Sequence, residues 1–349
     1  MTQPNTPTPL SRRAALSDRR AQLARMIEIR EVEAAIQALF SEGHVRGSTH
    51  LANGQEAVAV GIARALDPDD VVTCTYRGHG HALALGVTTI GVIGEICGRV
   101  VGCAGGLGGS MHLVGPEVGL LPTFAITGAG LPVSCGAAMA ALARGTDRVS
   151  VAIFGDGTAN NGAFHESLNF AAIRRLPVIF VCENNLYGEY TRINLTTPIE
   201  DIALRAQGYA FPGIVVDGQE AGAMADAMAV AFVRARARAW VGEGPTLVEV
   251  KTYRYSGHSR SDPATYRPPG EQDAWRARDP INLFADRLTA ERLLTGDDLA
   301  AMTAEVHAEV AAAVAEALAA PEPGNDFVRK RSSPAARSAA WPSPFRLAA

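Results

Sequence analysis

The stretch Val149-Ser150-Val151-Ala152-Ile153-Phe154-Gly155-Asp156-Gly157-Thr158, followed from Pro177 by Val178-Ile179-Phe180-Val181-Cys182-Glu183-Asn184-Asn185, decides the fold. Its first run is apolar and stops at Gly-Asp-Gly, as expected of a buried parallel strand entering a tight turn. Between the two runs, Ala163, Phe164, Leu168, Ala171 and Ala172 recur at helical spacing and predict a helix over Asn160 to Ile173. A strand, a crossover helix and a parallel strand bring both strand ends to one edge of a sheet. Asp156 and Asn185, 29 positions apart, are therefore expected side by side.

That pairing has a chemical use. A carboxylate and an amide oxygen are hard ligands suited to Mg²⁺, which usually keeps water and substrate phosphate oxygens as its other ligands. The glycines allow close backbone approach, and the helix after Thr158 aims free N–H groups at an anion. Gly-Asp-Gly alone also occurs in ordinary turns. Its weight comes from the Asn-Asn placed after the next strand.

Composition narrows the classes. The chain has 349 residues and 47% hydrophobic content, enough for a large core. A formal charge of −4 without a basic block in the folded part speaks against a nucleic-acid binder. No apolar run reaches membrane-spanning length. The five cysteines, Cys74, Cys97, Cys103, Cys135 and Cys182, form no CxxC and no metal-ligand cadence, and read as thiols of a reducing cytoplasm. Two lysines against thirty arginines suggest a GC-rich bacterial source.

Residues 1–20 read as a disordered polar tail with no secretory signal, and residues 21–320 as the folded domain. Residues 321–349 are Pro-, Ser- and Arg-rich and read as a second disordered tail. Within the domain, helices are expected at Arg20–Gly43, Gln55–Ala65, Gly128–Arg144, Asp201–Gln207 and Ala221–Trp240. Strands are expected at Val71–Cys74, Ile214–Val216 and Pro245–Thr252. Residues 102–119, with seven glycines, read as a ligand-facing loop. Gly128-Ala129-Gly130 is not a dinucleotide fingerprint: Val133 replaces the third glycine and no clear strand precedes it. Alternating strands and helices give an α/β fold, a parallel sheet flanked by helices with ligands at the C-terminal strand ends.

From about Ile27 to Arg287 the sequence resembles the α subunit of thiamine diphosphate-dependent E1 components, the 2-oxo acid and acetoin dehydrogenases. The resemblance rests on GDGTANNGAFHESLNF, CENNLYGEY, TYRGHGHALALG, GSTHLANGQEA and YRYSGHSRSDP. It implies Mg²⁺ held by Asp156, Asn185 and a backbone oxygen of Tyr187, with diphosphate contacts near Gly157, Thr158 and Gly188. It also implies a Tyr76-Arg77 clamp on the diphosphate, and Arg is a planar, permanently charged fork for phosphate oxygens. His50 and His258 fall where the family keeps histidines near the reactive carbon of the cofactor. Ile126 and Thr127 fall where it surrounds the pyrimidine. His79 reads as a loop-ordering residue, while His112 and His165 stay undecided. Ser256 departs from a histidine found in animal pyruvate-type chains, and Ser259 and Ser261 read as loop hydroxyls.

The resemblance further implies that the chain is half of a site. The pyrimidine and its activating glutamate come from a β subunit, in an α₂β₂ tetramer that passes an acyl group to a lipoyl-bearing E2 acyltransferase in the bacterial cytoplasm. The implied reaction is loss of carbon dioxide from a 2-oxo acid, or of acetaldehyde from acetoin. Pyruvate and acetoin both stay open, ahead of branched-chain 2-oxo acids. A nicotinamide dehydrogenase lacks its fingerprint here, and a non-catalytic homologue would have lost Asp156 or Asn185.

Overall fold

The computed structural model describes residues 8–45, 47–220, 226 and 244–332. Six strands form one parallel sheet in the order β2-β1-β3-β4-β8-β7. They are β1 (Val71–Thr75), β2 (Leu120–Phe124), β3 (Ser150–Gly155), β4 (Val178–Asn184), β7 (Gly213–Asp217) and β8 (Thr246–Lys251). The two-residue strands β5 (Tyr187–Gly188) and β6 (Thr191–Arg192) make a separate hairpin.

The sheet is covered on both faces, which is why its central strands are apolar throughout rather than alternating. β3 shows the consequence. Val151 and Ile153 join a core with α2 (Arg19–Ser41), α3 (Glu56–Ala65), α4 (His79–Leu85) and α5 (Thr89–Ile96). Ala152 and Phe154 join the opposite core with α6 (Gly130–Ala143), α7 (Gly162–Arg174) and the 3₁₀ segment Ile202–Tyr209. Helices α9 (Pro280–Ala290) and α10 (Gly296–Ala319) close over the first face, beyond the short α8 (Glu271–Arg276).

The expected β3-α7-β4 unit is present, with β3 and β4 in register from Ser150–Val178 to Gly155–Glu183. Elsewhere the structure departs from the sequence reading. Residues expected as an N-terminal tail form α1 (Pro9–Ala14) and the start of α2. Thr8 caps α1, Leu16 is buried, and the buried Arg13 donates to the carbonyls of Val118 and Asp67, both at 3.2 Å. One long polar side chain satisfying two loop carbonyls is a tether that composition does not reveal.

β2 does precede the Gly128 segment, although no strand is expected there. Pro122 disguises it, and it is tolerated because β2 is an edge strand. Helices α4 and α5 were also unforeseen, and the expected second tail opens with α11 (Asn325–Ser332). The expected helix Ala221–Trp240 lies outside the described residues except at Asp226.

The glycine-rich segment is ordered from within. Glu95, fully buried at the end of α5, accepts backbone N–H groups from Ala104 (2.7 Å), Gly106 (2.8 Å), Gly108 (2.6 Å) and Gly109 (3.2 Å). A carboxylate is pure acceptor, so four converging amides suit its charge. Most of this segment therefore wraps a carboxylate of its own chain, and only Met111 of it reaches the main cavity.

Candidate active site

Strand order reverses between β1 and β3: from β1 the chain goes outward to β2, then returns to the other side of β1 as β3. Ligands in open α/β sheets bind outside the C-terminal strand ends at such a switch point. A cavity of about 780 Å³ lies there. His50, Tyr76, Arg77, Thr127, Asp156, Gly157, Thr158, Asn185, Tyr187, Gly188 and His258 all line it, so these residues singled out by sequence share one space. Ile126 is instead 72% exposed.

The floor follows from the two central strands. Asp156 begins a 3₁₀ turn, Asp156–Asn160, directly after β3, and is 2% exposed with Oδ2 unpartnered. Burial pushes its carboxyl up to about 6, against the N–H groups of Asp156 and Asn185, which favour the charged form. Asn185 follows β4, and its amide nitrogen lies 3.4 Å from Gln55 Oε1. Gly157 and Gly188 meet face to face: a Cβ on Gly157 would stand 3.1 Å from the Gly188 Cα. Side chains at either position would crowd the floor.

The opposite wall comes from chain segments far apart in sequence. Arg77, buried after β1, donates from one terminal nitrogen to the Leu51 carbonyl (2.5 Å) and from the other to the His258 carbonyl (2.8 Å). One guanidinium thus fastens both histidine loops, and the His50 and His258 rings lie 5.0 Å apart. Glu33 reinforces the first loop through Ala52 N–H (3.0 Å) and holds His79, whose other nitrogen meets Ser110 Oγ (2.9 Å). His79 is therefore a fully buried loop-ordering residue, as expected. Arg267 secures the second loop through the carbonyls of Arg254, Tyr255 and Ser256.

Both cavity histidines are poor bases here. Burial, then Arg77, lowers His50 to about 3 and His258 to about 4, so each is neutral at physiological pH. The Nδ1 atom of His50 is buried without a partner. His112 and His165 lie outside the cavity lining: His112 meets the Thr123 carbonyl at 3.3 Å, and His165 meets the Tyr209 hydroxyl at 2.6 Å on α7.

Several participants escaped the sequence reading. Ser48, Gln55, Thr75, Glu183 and Glu189 line the cavity. Gln55 stands inside the GSTHLANGQEA motif, so its neighbourhood was a signal. Glu183 pairs with His81 at 3.0 Å, both buried. Arg254 is fully buried, donates to the Glu189 carbonyl (2.6 Å) and the Tyr266 hydroxyl (3.1 Å), and keeps Nε and Nη1 unpartnered. It stands inside the YRYSGHSRSDP motif, which was its signal.

Three carboxylates, Asp156, Glu183 and Glu189, face one guanidinium, Arg77, around this cavity. An anion such as a diphosphate binds among them only with a cation, and Asp156 offers a buried free oxygen for one. No cluster of three His, Cys, Asp or Glu side chains suited to a metal occurs among the described residues, and the expected set of Asp156, Asn185 and the Tyr187 backbone oxygen has a single carboxylate. Fold and cavity thus define an α/β chain whose candidate site lies at the switch point of a parallel sheet.

Residues 24–325 match the dehydrogenase E1 component family. The chain is 41% identical over 301 residues to the α subunit of acetoin:2,6-dichlorophenolindophenol oxidoreductase of Cupriavidus necator, covering 86% of this chain and 89% of that one. The Bacillus subtilis protein of the same name is 42% identical over 268 residues, 76% and 79% of the two chains. The pyruvate dehydrogenase E1 component subunit α of Porphyra purpurea is 38% identical over 301 residues, 84% and 86%. The chain belongs to the dehydrogenase E1 component family, as its motifs implied. It is an α-type subunit of a thiamine diphosphate-dependent oxidoreductase, and that family works with a β subunit.

Proposed function

We propose that this chain is the metal- and diphosphate-holding half of an α₂β₂ E1 component. It would take pyruvate or acetoin and pass the two-carbon acyl group to a lipoyl-bearing E2 acyltransferase. The observation that carries the reading is the buried, unpartnered Oδ2 of Asp156 beside Asn185 and the facing pair Gly157 and Gly188. The relatives named for acetoin and pyruvate support the substrate pair. A bacterial cytoplasm fits the five free thiols.

In this reading Asp156, Asn185 and the backbone oxygen of Tyr187 hold Mg²⁺. Gly157, Thr158, Gly188 and the Tyr76 hydroxyl would hold the diphosphate. Each terminal nitrogen of Arg77 has a second N–H, so the fork can reach a phosphate oxygen while keeping both loop carbonyls. Thr127 borders the ring system, and Ile126 offers apolar surface for the β chain to cover. Thiamine diphosphate held there would supply carbanion chemistry at the substrate carbonyl. His50 and His258, neutral and desolvated, orient that carbonyl and hold or move a proton at its oxygen.

The test is reconstitution. The chain with its β partner, Mg²⁺ and thiamine diphosphate should turn over pyruvate or acetoin with an artificial electron acceptor, and NAD reduction should need the lipoyl carrier and a flavoprotein as well. Robust turnover by the isolated chain would overturn the two-subunit reading.

A further inference from the structure

The hairpin after Asn185 makes its turn with Glu189 and Tyr190, since Gly188 pairs with Thr191. Glu189 stands at φ +54°, in the left-handed region that a two-residue turn demands and that glycine or asparagine fills at less strain. The conformation is held from outside the turn. Arg254 donates to the Glu189 carbonyl, and both Tyr187 and Arg192, one on each strand, bind Glu271. Tyr190 lies against His258, with ring centroids 5.9 Å apart, and against Tyr266 at 5.6 Å.

Such a braced turn fixes where its side chains stand. Glu189 lines the cavity and forms no ion pair among the described residues. Among the described charged residues of the lining, it alone is exposed, whereas Arg77, Asp156 and Glu183 are buried. Among the described residues of the lining the one charged cation is Arg77, and the reading above commits its spare N–H groups to the diphosphate, leaving none for a substrate carboxylate. Arg77 is fastened to two carbonyls, Arg254 is sealed from solvent, and the two histidines are neutral.

We propose that Glu189 selects by charge, disfavouring 2-oxo acids, which carry a carboxylate, and leaving uncharged acyloins such as acetoin as the preferred substrates. This rests on the thiamine diphosphate reading and decides between its two substrates. A like charge met at a partly solvated site disfavours the anion about tenfold in capture. It does nothing to a neutral hydroxyketone.

The experiment compares kcat/KM for acetoin and for pyruvate, with an artificial acceptor, on the complete α/β complex loaded with Mg²⁺ and thiamine diphosphate. Wild type should favour acetoin. Glu189→Gln should lower the acetoin-to-pyruvate ratio about tenfold, and Glu189→Lys further still. Glu189→Gly removes the charge while relieving the left-handed backbone, so a matching shift there separates charge from folding. Raising salt to about 0.5 M should narrow the ratio in wild type but not in Glu189→Gln. A ratio unchanged across the variants, or a wild type that favours pyruvate, overturns the selection. A complex that binds cofactor but turns over neither substrate overturns the reaction proposed above, and this inference with it.

Discussion

The two walls of the cavity are built in opposite ways. On the β3–β4 side, Asp156 and Asn185 sit where two neighbouring strands end, and one crossover helix sets their separation. On the other side, His50 and His258 come from loops about two hundred positions apart, and a single guanidinium at Arg77 holds both. The first wall is a product of sheet geometry. The second depends on a few buried polar contacts, each irreplaceable by a neighbour. The contrast teaches that binding and chemistry should fail separately in this molecule.

The harshest test of that separation is Asp156→Ala. It should abolish retention of thiamine diphosphate by the α/β complex, a loss beyond about a hundredfold for a missing ionic ligand, with the circular dichroism of the chain unchanged. Calorimetry with Mg²⁺ would read it, and wild-type affinity would remove Asp156 from the metal. His258→Ala should spare cofactor binding yet lower turnover by about 10²–10⁴-fold, the scale of a lost proton-transfer group. Full turnover would reduce the second wall to scaffolding.

Arg77→Lys bridges the two walls. A point charge cannot hold two carbonyls in a planar fork, so cofactor binding should weaken by about 1–3 kcal/mol while turnover falls as well. A drop in affinity alone would mean that the histidine loops stand without it.

pH acts on the first wall alone. A carboxyl raised to about 6 by burial is protonated below that value, so protons compete with Mg²⁺, and metal affinity should fall about fivefold from pH 6 to pH 5. The sign for folding is opposite. In the cation-free chain this group's contribution to stability is fully present below its ordinary value of 3.8 and is lost as pH rises through about 6. A flat Mg²⁺ titration between pH 5 and 7 would contradict the burial of Asp156. The mildest change should be Glu95→Gln, which leaves one of four N–H donors or more unanswered. Urea unfolding should register a loss of about 1–3 kcal/mol, with cofactor affinity untouched.

The sequence was most readable where structure is local. The apolar runs of β3 and β4 and the helical spacing between them carry their own geometry, so the sequence alone pairs Asp156 with Asn185. Motifs likewise gathered His50, Tyr76, Arg77 and His258 into one place. What stayed hidden was the use of individual polar groups. Nothing in a glycine-rich run says that Glu95 will fill it, because four backbone amides leave no trace in side-chain chemistry. Arg13 looked like tail composition and is a buried tether. Arg77 was expected to face a phosphate, and both its terminal nitrogens are engaged by carbonyls whose positions only tertiary folding determines.

The sheet order also sets a sequence of events in time. The β3–β4 pairing joins Ser150 to Val178, only 28 positions on, whereas β1 must wait for Val71 to find Ser150, 79 positions away, and β8 joins Ile179 to Thr246 across 67. By loop closure alone the first pairing is favoured over the second by about 0.9 kcal/mol. The strands that end in Asp156 and Asn185 are thus the pair most readily formed while most of the chain is still unfolded. A nascent chain would have the two residues proposed to hold the metal in place early, and the histidine loops, which need β1 and the strand β8 that precedes His258, would be the last part of the cavity to close.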